Sequence, residues 1–179
     1  LPHIPISVLR VSLNPIYSTI LPVILGTTTG LITRTSVSTW YPTLRKPPYE
    51  PPRWAFPVAW TYLYATMGYS SHLLTQTYLK SINGFDSSLI NDSNLSLKLY
   101  FSQLVFNLLW TPIFFGKRNV GLGLIDISIL DLNVFYLTYL SKKVNEKAFY
   151  LFLPYCAWLS YATYLNAGVW YLNGGKDKL

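Results

Sequence analysis

Trp60 and Tyr64 stand four residues apart, Asn107 and Trp110 three apart, and Trp158, Ala162 and Leu165 at i, i+4 and i+7. On a helix each of these sets shares one face. Flat rings from three segments, a small residue beside one ring and a single amide suit a cleft for a planar apolar ligand. Stacking and one hydrogen bond would hold it, with little ionic chemistry. An aromatic stripe also packs a bundle with no ligand at all, so the residues alone leave both readings open.

Acid–base chemistry has fewer carriers. Asp126 and Asp131 interrupt an apolar run, and five residues of helix turn them about 140° apart, so they do not form a carboxylate dyad. An acid inside an apolar span faces the bundle interior or a watery cavity. Asp126 and, more so, Asp131 are read as structural acids bonded to Tyr, Asn or backbone groups, with proton coupling as the alternative. No nucleotide-binding glycine loop, serine-hydrolase elbow or zinc-helix motif occurs. The single cysteine, Cys156, excludes an internal disulfide, and His3 and His72 lie far apart in sequence, so no metal site is expected.

These residues need long apolar elements to position them. The chain of 179 residues is 51% hydrophobic and only 12% charged, against about 25% charged in a soluble domain. Most charges cluster between apolar runs, the layout of a multi-pass membrane protein. Five spans are predicted, at about 15–33, 56–79, 97–115, 120–140 and 148–172, in one all-α domain over 1–179. The first lacks a cleavage pattern and is read as a span. The polar stretch 81–94 is expected to be a long loop, and its sequons at Asn91 and Asn94 matter only on a lumenal face. Gly26 and Gly30 form a G-x-x-x-G pattern expected to bring helix backbones together. The +7 net charge sits at span ends, which favours lipid headgroups over nucleic acid as the partner, and the eight-to-six split of cations between the two sides favours a cytoplasmic first loop.

That first loop, WYPTLRKPPYEPPRW at 40–54, is stiff, aromatic and basic. Its prolines fix the path at a membrane surface and predict a structured lid over the mouth of a cleft. Arg45, Lys46 and Arg53 suit phosphates or ligand carboxylates.

The same loop resembles the first loop of the TspO/MBR family, through Trp40, Tyr41, Leu44, Lys46, Pro47, Pro51, Pro52 and Trp54. The resemblance continues in order through Trp60, Leu63, Tyr64, Met67, Gly68 and Tyr69, then Gln103, Leu104, Asn107, Trp110 and the run Pro112 to Gly116. It ends with Asp126 and with Pro154, Tyr155, Ala157, Trp158, Leu159, Ala162, Thr163, Leu165 and Asn166. The resemblance implies an all-α integral membrane bundle of five spans, commonly a homodimer. It implies a pocket for porphyrin, haem or sterol, at Trp40, Pro51, Trp60, Asn107, Trp110, Trp158, Ala162 and Leu165, with no obligatory cofactor. Light-dependent porphyrin breakdown through Trp40 and Trp158 is an alternative that it also implies, as is transport or scaffolding. The family's sterol motif departs here, and only the loose spacing of Val169, Tyr171 and Lys176 remains. For a eukaryotic source the resemblance implies the outer mitochondrial membrane, with the ER or a bacterial membrane as alternatives.

Overall fold

Four of the helices begin where an Asn or Asp side chain satisfies free N–H groups of the first turn. The computed structural model describes residues 4–178, so His3 lies outside the described residues. A short α1, Ile6–Leu13, precedes α2, Pro15–Thr39. Asn14 opens α2 by accepting from the N–H groups of Ile16 at 2.9 Å and Tyr17 at 3.3 Å. Pro15 occupies the first helical position, where a missing donor costs nothing. After a 3₁₀ turn at Tyr41–Thr43 comes α3, Ala55–Gly84, then α4, Ser87–Thr111. A π-helical turn at Pro112–Gly116 closes α4, where proline removes a ladder donor. α5, Val120–Val144, is capped by Asn119, and α6, Glu146–Leu172, by Asn145.

The stretch 81–94 is not a long loop. α3 runs on to Gly84, and only Phe85 and Asp86 make the turn into α4. Phe85 adopts a left-handed φ of 56°, and Asp86 accepts from the N–H of Leu89 at 3.0 Å. The serines that suggested a loop bond their own helix: Ser81 donates to the carbonyl of Tyr78, Ser93 to that of Leu89 and Ser96 to that of Asp92. Serine and asparagine serve a loop or a buried helix face equally well, so composition misleads here. Both sequons lie within α4; Asn94, Ser93 and Ser96 are buried, which removes Asn94 as a surface glycosylation site, while Asn91 is exposed on the helix. The extra length of this region therefore extends two helices.

α3 is the hub of the bundle, packing on α1, α2, α4 and α6, while α5 closes the other side between α4 and α6. The core comes from Leu63, Met67 and Leu74 of α3, Leu97 of α4, Ile127, Leu130 and Leu137 of α5, and Phe152, Tyr155 and Leu159 of α6. Apolar side chains also cover the outside: Ile16, Ile24, Leu31 and Ile32 on α2, and Ile125, Leu132 and Phe135 on α5 are exposed. A helix apolar inside and out is built for lipid. Three helical stretches, Pro15–Thr43, Ser87–Gly116 and Val120–Val144, are long and apolar enough to cross a membrane. No strand occurs among the described residues.

Close helix contact is set at Gly68, where a Cβ would lie 2.2 Å from the backbone oxygen of Ser18. Backbone cannot yield as a side-chain tip does. Gly68→Ala is expected to lower stability by about 1–3 kcal/mol. Gly84→Ala meets nothing within 4 Å and should be neutral or slightly stabilising. Thermal unfolding of the two variants in detergent distinguishes them.

Candidate functional site

A cavity of about 510 Å³ lies between α2, α3, the end of α4 and the first loop. That volume falls in the usual range for a small-molecule site. Phe56, Trp60 and Tyr64 of α3 supply one wall at i, i+4 and i+8, and Trp110 and Phe115 supply another. Gly26, Gly30 and Thr33 of α2 supply the third. At the loop end the lining includes Arg34, Tyr41 and Arg53.

The two glycines of α2 do not bring backbones together as their spacing suggests. Gly26 makes room for the ring of Tyr64, whose Cε2 would lie 2.0 Å from a Cβ there. Gly30 has nothing within 4 Å of its Cβ position and lines open cavity. Missing side chains thus leave space for rings, and the helix contact itself moves to Gly68.

Of the residues singled out in sequence, Trp60 and Trp110 line this cavity. Ala162 and Leu165 line a separate void of about 20 Å³, room for about one water. Tyr41, Phe56, Trp110 and Phe115 border both spaces and form the partition between them. Trp158 stands behind the wall, edge-on to Trp60 at 6.3 Å and to Phe56 at 5.9 Å between centroids. Trp40 is buried against Phe114 at 5.9 Å and also lies outside the lining. Pro51 is half-buried in the loop. Sequence reasoning missed Phe56 and Tyr41, although Phe56 is one turn before Trp60 and extends the same stripe.

Asn107 is engaged inside the bundle. Its Oδ1 accepts from the Tyr64 hydroxyl at 2.6 Å, and its Nδ2 donates to the Tyr155 hydroxyl at 2.7 Å. Tyr155 in turn donates to Gln103 Oε1 at 2.8 Å. Asn107, expected from sequence to bond a ligand, is not among the residues lining the cavity, whereas its partner Tyr64 is. Trp110 Nε1 similarly donates to Asn166 Oδ1 at 3.1 Å, so its ring is fixed in orientation.

The two acids differ. Asp131 Oδ2 accepts from the Thr163 hydroxyl at 2.7 Å, as a bonded structural acid does, while its Oδ1 is buried without a partner among the described residues. Asp126 is buried, and its Oδ2 has no hydrogen-bond partner among the described residues. Val169, Tyr171 and Lys176 do not converge. Val169 is 0% exposed and Tyr171 77%, since residues two apart face opposite sides of a helix, and Lys176 lies beyond the end of α6. Among the described residues no cluster could hold a metal ion.

The first loop is ordered by ties to α6. Tyr161 and Tyr164 donate to the carbonyls of Tyr49 and Pro48, the latter at 3.0 Å. Asn173 accepts from the N–H of Arg45 at 3.1 Å and donates to its carbonyl at 2.8 Å. Lys46 pairs with Glu50 at 3.1 Å and lies over the Tyr41 ring. Pro47 fits against Gly168, where a Cβ would come within 2.5 Å of its ring. Five points of attachment fix a segment that proline has already stiffened.

An aromatic cavity among apolar helices, bordered at one end by a pinned loop, defines an all-α membrane protein with an internal site. A family model described as "TspO/MBR family" matches residues 18–172. Relatives include the "Translocator protein" of Homo sapiens, 38% identical over 76% of this chain and 76% of that protein. The "Tryptophan-rich protein TspO" of Archaeoglobus fulgidus is 38% identical over 83% and 90%. "Protein CrtK" of Rhodobacter capsulatus is 35% identical over 80% and 84%. The chain belongs to the TspO/MBR family.

Two outcomes test this geometry. Tyr155→Phe leaves Asn107 and Gln103 each short of a partner in a buried setting, and should cost about 1–3 kcal/mol in thermal or denaturant unfolding. Gly168→Ala should displace Pro47 and loosen the loop, read as faster trypsin cleavage after Arg45 or Arg53 while the helical content stays unchanged.

Proposed function

We propose that the protein is a translocator-type membrane bundle of five spans that holds a flat hydrophobic ligand, a tetrapyrrole such as porphyrin or haem or a sterol, beneath the first loop. The observation that carries this reading is the 510 Å³ cavity walled by Phe56, Trp60, Trp110 and Phe115. Ring faces bind a planar ligand by offset or edge contacts, each worth about 0.5–1.5 kcal/mol beyond area burial. α3 and α6, at 30 and 27 residues, are long enough to join the three apolar stretches as spans. The loop 40–54 serves as the lid. Pairing of two copies and an outer mitochondrial setting, or an ER or bacterial one, belong to the same proposal through the family.

Two alternatives have narrower support. Photo-oxidative breakdown of a porphyrin would draw on Trp158 through its edge contact with Trp60, but Trp40 and Trp158 both stand behind the wall. Acid-coupled transport would draw on the buried, unpartnered carboxyl of Asp126.

Protoporphyrin IX added to the detergent-solubilised protein should quench its tryptophan fluorescence saturably. Gly30→Leu, whose side chain would enter open cavity, should weaken that binding about tenfold or more without shifting the unfolding temperature. Equal affinity of the two proteins would remove the cavity as the site.

A further inference from the structure

We infer that Arg34 and Arg53 form an anion-recognition pair at the mouth of the cavity, so that its ligand is an amphiphile bearing an ionised acidic group and not a neutral one; this rests on the ligand-binding reading above.

The cavity is graded along its length. Gly26 and Tyr64 mark the inner end and Arg34 and Arg53 the loop end. Along α2 the eight residues from Gly26 to Arg34 span about 12 Å, close to the length of a fused or macrocyclic ring system. Arg34 comes from α2 and Arg53 from the last residues before α3, so two separate elements each contribute an arginine to the lining of the same cavity. The lining contains no carboxylate among the described residues. Glu50, the acid of the neighbouring loop, is already paired with Lys46 at 3.1 Å. Neither arginine forms an ion pair among the described residues, and both are exposed.

Two unpaired cations at one end of an apolar cavity impose an orientation. The ring system enters toward Trp60 and Tyr64, and its acidic group stays at the headgroup level between the two guanidiniums. Each guanidinium offers a planar fork of donors matched to a carboxylate or phosphate, which an uncharged hydroxyl cannot engage in the same way. A neutral sterol would fill the apolar end and leave both cations unused. The anion itself has two sources, the carboxylates of a free tetrapyrrole and the headgroup of an anionic lipid.

The test compares protoporphyrin IX with its dimethyl ester, which keeps the ring and removes both charges. Binding is read by tryptophan quenching in nanodiscs of neutral phosphatidylcholine, with unmodified protein and the double variant Arg34→Gln/Arg53→Gln. The acid is expected to bind about tenfold or more tightly than the ester. In the double variant that advantage should vanish while ester affinity and unfolding temperature stay unchanged. A second set of discs containing phosphatidylglycerol separates the sources. If the acid's advantage falls there through competition at the arginines, the pair also takes a lipid headgroup; if it persists, the pair prefers the free carboxylate. Equal binding of acid and ester to the unmodified protein would overturn the anion pair and leave ring binding standing. No saturable binding of either probe would overturn both readings.

Discussion

Four polar side chains joined end to end hold the centre of this bundle: Tyr64, Asn107, Tyr155 and Gln103. They come from α3, α4 and α6, and Gln103 returns the chain to α3 through a contact with the sulfur of Met67 at 3.6 Å. In an apolar bundle surrounded by lipid, burying hydrocarbon gives helices little reason to prefer one neighbour over another. Buried polar groups supply that preference, because each left without a partner carries the full desolvation penalty. Only one register satisfies these four together. The aromatic wall inherits its position from them, since Tyr64 belongs both to the chain and to the cavity lining.

The same rule organises the remaining polar residues. Thr28, Thr33, Ser70, Thr75, Thr138 and Ser141 each donate to a carbonyl one turn back in their own helix. Hydroxyls disposed of in this way let polar residues occupy helices among apolar neighbours. They also explain why α3, rich in Ser and Thr, is longer than its apolar content alone suggests. α2 stands apart, with only Ser18, Pro22 and Thr33 buried, and it forms the outer wall of the cavity. Space for a ligand opens on the side of the helix that packs least.

Periodicity made the helical faces of Trp60, Trp110, Ala162 and Leu165 legible, and the proline-rich loop announced its own stiffness. What spacing could not convey was which member of a face meets a neighbour and which meets open space. Asn107 reads as a ligand donor, and its spacing gives no sign that tyrosines from two other helices bond it. Those contacts span 43 and 48 residues of chain, beyond the reach of local pattern. Gly26 and Gly30 carry the spacing of a helix contact, yet their identity as gaps depends on the Tyr64 ring opposite. The stretch 81–94 failed for a different reason, because the residues that favour turns also cap helices and bond back along them. The turn itself needs only Phe85 and Asp86, a signal too short to stand out from its neighbours.

The partition of Tyr41, Phe56, Trp110 and Phe115 between the large cavity and the small void has a bearing on capacity. Four aromatic residues line both spaces, so their rings bear on how the two chambers stay apart. A ring that turned there would extend the main chamber toward Ala162, which lines the smaller void. Trp110 is the ring least free to do so, being tethered to Asn166, which leaves the phenyl rings as the adjustable panels. A ring rotation at this divider is a smaller rearrangement than the parting of two helices, so the guest size such a site admits depends on its side-chain rotamers as well as on the bundle.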